Sequence, residues 1–107
     1  MTRPPASACG DMGALRLQID EIDRELIALL IERAAHIDRA AELKPAAGLP
    51  AHIDSRVEEV VNNVRSAAGG AGLDADLAED IWRRLIGWSI AREETAMQHS
   101  GIKGADE

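Results

Sequence analysis

Between about Met12 and Leu43 the apolar residues Leu15, Ile19, Ile22, Leu26 and Leu29 recur in steps that alternate four and three. That spacing marks the seam of a helix laid along another helix. The stripe resumes at Ile37 and Ala40, and the position it reaches after Leu29 is Arg33. No proline interrupts the stretch until Pro45, which pushes the residue before it out of the helical region and ends the element. A helix of this length is about 48 Å long at 1.5 Å per residue. No other element that the pattern predicts is long enough to cover it. An apolar stripe left in water is unfavourable, so the pattern predicts that a second copy of the same helix covers it.

Residues 45–53 contain Pro45, Gly48 and Pro50 and read as a loop. A shorter helix follows, with Val57, Val60, Val61 and Val64 as its apolar face. Asp54 or Ser55 is its candidate cap, Ser55 and Glu58 having capping-box spacing. Gly69, Gly70 and Gly72 are expected to end it. Asp74 or Asp76 is the candidate cap of a third helix, Asp76 and Glu79 again having the capping-box spacing. Its apolar face is Leu77, Ala78, Ile81, Trp82, Leu85 and Ile86, and it is expected to run to about Met97. With no strand signal and no internal repeat, the expected fold is all-α: three helices, long, short and long. The expected organisation is a disordered leader over 1–11, one helical domain over 12–99 and a flexible tail over 100–107.

Composition agrees. The 107 residues include two Trp and no Phe or Tyr, which suits helices better than a sheet. A chain this short buries only a modest core alone, and Ala-rich helices bury little area each. The net charge of −7 argues against nucleic-acid binding, which needs a basic surface. It leaves room for an anionic small molecule, because a few inward-facing cations make a locally positive pocket in an acidic protein. There is no signal-peptide pattern and no apolar run of membrane-spanning length. With a single cysteine, Cys9, no internal disulfide is possible, and the cytoplasm is the expected compartment. Cys9 sits in the Pro- and Ala-rich leader and reads as incidental.

The informative residues are polar ones at apolar positions. Arg33 falls in the seam of the first helix, where burial is costly unless an anion meets it; the alternatives are an arginine snorkelling past the seam or a structural salt bridge. Lys44 lies eleven residues on, about three turns, hence on the same face and about 16 Å along the axis. The two could approach opposite sides of a compact dianion; Lys44 alone would pass as a helix-end lysine favoured by the dipole. Arg16 cannot share a ligand with Arg33 of its own helix. It can reach the far half of a partner in an antiparallel dimer, or pair locally with Asp20. Ser89 and Glu93 continue the stripe of the third helix. A carboxyl on such a stripe can retain its proton and donate a hydrogen bond, unless the helix has emerged into solvent there. His36 and His52 make no convincing metal pair, and no phosphate loop or nucleophile elbow is present, so neither metal nor cofactor is expected.

The run from Leu15 to Arg33 resembles the first helix of the all-helical chorismate mutases, whose pattern is L-R-x-x-I-D-x-I-D-x-x-L-x-x-L-L-x-x-R. Glu42-Leu43-Lys44, Arg56, Gly72-Leu73-Asp74, Ile81-Trp82 and Ser89-Ile90-Ala91 follow in the family's order and spacing, so the likeness covers about residues 12–97. The resemblance implies an intertwined helical homodimer with two equivalent pockets, each built from both chains. It implies that Arg33 and the partner's Arg16 bind the two substrate carboxylates. Lys44 would bind a carboxylate and the ether oxygen, Arg56 would line the mobile loop side, and Ser89 would contact a carboxylate. Glu93 stands where family members hydrogen-bond the ether oxygen, often with Gln. The reaction implied is the pericyclic rearrangement of chorismate to prephenate, which serves aromatic amino acid biosynthesis and needs no metal or cofactor.

Two positions depart from the family. Val57 replaces the acid that usually follows the Arg56 position and holds the substrate 4-hydroxyl, and Ile53 sits where some members carry an acid. Arg56-Val57 resembles the related isochorismate-pyruvate lyases and 4-amino-4-deoxychorismate mutases, which stand as alternative activities. A non-enzymatic helical dimerisation module is a third reading, disfavoured by the ordered set of cations.

Overall fold

The computed structural model describes residues 3–105, with side chains as far as residue 98. Within them the chain is all-helical: α1 (Met12–Leu43), α2 (Asp54–Ala71) and α3 (Ala75–Ala105), with a single 3₁₀ turn at Ala6–Ala8. The leader expected over 1–11 and the tail expected over 100–107 fall partly outside the described residues. No helix among the described residues is long and apolar enough to cross a membrane.

Two compact units divide the chain, residues 1–35 and 36–107. The first holds most of α1. Asp11 caps it, Oδ1 accepting from the Ala14 amide at 2.8 Å. Arg3 is ion-paired with Glu25. The seam positions Ile19, Ile22, Leu26 and Leu29 are all exposed in the single chain, Leu29 by 60%. The only buried residue of α1 is Ala41, which belongs to the second unit.

The second unit holds the packed core, where α2 lies against α3. Val61 and Ala68 of α2 and Ala78 and Ile86 of α3 are buried. Val61, Ala78 and Ile86 lie on the faces read from the sequence, and Ala68, seven residues after Val61, extends the first of them. Of the face expected on α3, Ala78 and Ile86 are buried and Trp82 and Leu85 half-buried, while Leu77 and Ile81 stand exposed beside them.

α1 stops at Leu43, as Pro45 requires, and the chain turns back with the Leu49 amide donating to the Lys44 carbonyl at 2.9 Å. Neither Asp54 nor Ser55 caps α2. Its cap is Ile53, in extended conformation with no side-chain hydrogen bond, and the Asp54 carboxylate instead faces His52 Nε2 at 2.8 Å. Gly69 and Gly70 do not end α2; they lie inside it, and Gly72, at φ 88°, closes it as the left-handed residue. The Leu73 amide then donates to the Ala68 carbonyl at 2.8 Å, completing a glycine-dependent stop. Asp74 rather than Asp76 caps α3, Oδ1 accepting from the amides of Asp76 (2.9 Å) and Leu77 (3.3 Å). Asp76 and Glu79 go instead to Arg65, whose Nη1 reaches them at 3.0 and 2.7 Å, tying α2 to α3. The backbone of α3 continues to Ala105, past the Met97 expected from the pattern, so at 31 residues it nearly equals the 32 of α1 and the expectation that no other element matches α1 in length does not hold.

Candidate active site

Proline decides where Lys44 stands. Because α1 ends just before it, Lys44 leaves the last turn and its side chain reaches toward α3. Its Nζ lies 2.5 Å from Glu93 Oε1 and donates to the carbonyl of Ala51, in the following loop, at 2.8 Å. Glu93 is only 4% exposed, on the side of α3 that also carries Ile86 and Ser89. Desolvation makes an isolated carboxylate there very costly, and the ammonium at contact distance offsets that cost. Ser89, one turn earlier and 3% exposed, donates its hydroxyl to the Leu85 carbonyl at 2.7 Å. Ser89 and Glu93 are the buried polar residues among those described.

The structure thus brings together Lys44, Ser89 and Glu93 from the end of α1 and the middle of α3. Arg56 is turned to solvent, Nη1 donating to Glu59 Oε1 at 2.5 Å. Val57 and Ile53, on the entry to α2, are half-buried. Arg16 and Arg33 lie in the first unit, Arg16 exposed and Arg33 half-buried. Beside Ala51 a shallow depression of about 360 Å³ is lined by Pro50, Ala51, His52, Glu94, Met97 and Gln98.

Three further residues, Asp38, Trp88 and Arg92, were not among the candidates read from the sequence. Arg92, next to Glu93, donates from Nε and Nη2 to the two carboxylate oxygens of Asp38 at 2.5 and 2.9 Å. These hydrogen bonds hold the Asp38 carboxyl below its ordinary range and raise the Arg92 guanidinium above its own. Arg92 also lies over the Trp88 indole, 5.2 Å from the ring centroid. Trp88 and Arg92 are four apart and could have been paired on the helix; Asp38, 54 residues from Arg92, could not.

The all-helical fold thus sets an ammonium against a buried carboxyl, with a buried hydroxyl one turn away on the same helix. The chain belongs to the chorismate mutase type II family, whose pattern it matches over residues 15–94. It is 38% identical over 79 residues to the T-protein of Haemophilus influenzae, an alignment covering 74% of this chain and 21% of that protein. It is 39% identical over 88 residues to the bifunctional chorismate mutase/prephenate dehydratase of Aquifex aeolicus, covering 78% and 24%. The chorismate mutase of Methanocaldococcus jannaschii is 24% identical over 92 residues, covering 86% of this chain and 93% of that protein. The chain therefore spans about a fifth to a quarter of the first two relatives and nearly the whole of the third.

Proposed function

We propose that this protein is a chorismate mutase that converts chorismate to prephenate in pockets shared between two copies of the chain. The observation that carries the reading is the contact between Lys44 and the buried Glu93; by the resemblance drawn from the sequence, both residues are expected at the substrate ether oxygen. A metal-free, cofactor-free pericyclic reaction asks the protein for two things. It must hold the compact conformer of the substrate, an orientation effect, and stabilise charge growing on the ether oxygen as the C–O bond breaks. Arg33, Ser89 and the second copy's Arg16 position the two carboxylates. Arg56 lines the loop side, with Ile53 and Val57 near it at the substrate's ring. Lys44 and Glu93 serve the oxygen.

Glu93→Gln supplies an uncharged hydrogen-bond donor at the same place, and Glu93→Ala removes the polar group altogether. Steady-state kinetics on chorismate are expected to show turnover largely kept in Glu93→Gln and lost in Glu93→Ala. Turnover equal to the native protein's in Glu93→Ala removes Glu93 from the ether oxygen.

The bare seam of α1 supports the second copy. Exposed Ile19, Ile22, Leu26 and Leu29 along one stripe are unfavourable in water, and pairing with an identical stripe buries both. Val57, in place of the acid that holds a 4-hydroxyl, keeps isochorismate lysis and aminodeoxychorismate rearrangement as competing outcomes. Purified protein assayed on chorismate, isochorismate and 4-amino-4-deoxychorismate separates the three. Prephenate from chorismate is the expected result, and turnover of another substrate with chorismate untouched refutes it.

A further inference from the structure

The Lys44–Glu93 contact exists only while the end of α1 holds one register against α3. Apolar packing gives that end little to hold with, because Ala41 is the only buried residue α1 contributes. An alanine methyl fixes neither the roll of a helix nor its slide. A two-point bond fixes both, and one is present: the Arg92 guanidinium meets both oxygens of Asp38, at 2.5 and 2.9 Å. The Trp88 ring under Arg92, at 5.2 Å, narrows the rotamers open to the guanidinium. Arg92 and Glu93 are consecutive, so they stand about 100° apart around α3. A bond on one face and the Lys44 contact on the next together resist rolling of α3.

We propose that Asp38, Arg92 and Trp88 form a positioning clamp that sets the apposition of Lys44 and Glu93. The proposal rests on the reading of those two residues as parts of the substrate pocket. The clamp is half-exposed, with Asp38 and Arg92 side chains each 46% accessible, so its contribution to global stability is small. Its effect falls on geometry. Small displacements of catalytic groups are expensive, and losing the clamp is expected to lower kcat about tenfold to a hundredfold while KM changes less than about twofold.

The deciding measurement does not depend on turnover. Lys44→Met, Glu93→Gln and the double variant are unfolded by denaturant at fixed protein concentration, giving the coupling between the two residues. The same cycle is then run in the Arg92→Gln, Arg92→Lys and Asp38→Asn backgrounds. The expected result is a coupling that shrinks about tenfold, as a ratio of unfolding constants, in Arg92→Gln and Asp38→Asn, and is partly kept in Arg92→Lys. If the cycle variants fail to fold, a crystal structure of Arg92→Gln reads the same property, with the Nζ–Oε1 separation expected to open beyond about 4 Å. An undiminished coupling, or an unchanged separation, overturns the clamp. If the native protein acts on none of the three substrates, the functional reading fails while the coupling still decides the clamp.

Discussion

The two units of this chain were written with the same helical repeat and ended in opposite states. In residues 36–107 much of the apolar repeat of α2 and α3 is covered within the chain, Leu77 and Ile81 excepted, and Glu93 is buried with it. In residues 1–35 the same repeat stands in the open: Leu26 is 53% exposed and Leu29 60%. The candidate site divides the same way, with Lys44, Ser89 and Glu93 in the packed unit and Arg16 and Arg33 in the bare one. A repeat therefore states that a face must be covered and says nothing about which chain covers it. Under the proposed dimer the bare face and the missing half of the site have one remedy.

Breaking the packed side should have the largest effect. Lys44→Ala removes the cation assigned to the ether oxygen and leaves Glu93 buried without it. A loss of about 10²–10³ in kcat is expected in steady-state kinetics, the size seen when one donor to a developing oxyanion is deleted. Breaking the bare side comes next. Leu29→Asp would be nearly silent on a solvent-facing position, within about 0.5 kcal/mol. On a face that pairs with a second copy it buries a charge. The account expects sedimentation equilibrium to show a shift toward monomer, with activity falling in step; an unchanged oligomeric state would show that the seam is not the contact.

The smallest effect sharpens the contrast from within the packed unit. Glu79 accepts from Arg83 at 2.6 Å and from Arg65 at 2.7 Å, and these hydrogen bonds, Arg83's first, hold its carboxyl below the ordinary range. A carboxyl lowered in the folded state stabilises the fold at pH values above its unfolded value, about 4.3, and that contribution is lost as pH falls through the lowered value. Denaturation midpoints followed from about pH 6 down to about pH 3 should therefore decline less steeply for Glu79→Gln than for the native protein.

Periodicity made the helices legible, and Pro45 marked the end of α1. What it could not give was the choice among competing local partners. Asp54 had cap chemistry but turned to His52, and Asp76 had capping-box spacing but was taken by Arg65, 11 residues away. Gly69 and Gly70 looked like a stop, yet a helix tolerates glycine at modest cost. Its end fell at Gly72, the position that needs a positive φ. On the site, Ser89 and Glu93 were legible because polar residues on an apolar stripe ask for an explanation. That Lys44 would meet Glu93 directly was not, since pairing across 49 positions leaves no local trace. The same holds for Asp38 and Arg92.

The central claim, that each pocket draws Arg16 from one chain and Lys44 from the other, has a direct test. Arg16→Ala and Lys44→Ala proteins, each nearly inactive, are mixed in equal amounts, unfolded and refolded together. In a heterodimer of the two, one pocket receives both substitutions and the other neither, so random pairing restores about a quarter of the native activity. A mixture no more active than its two components would contradict the shared pocket.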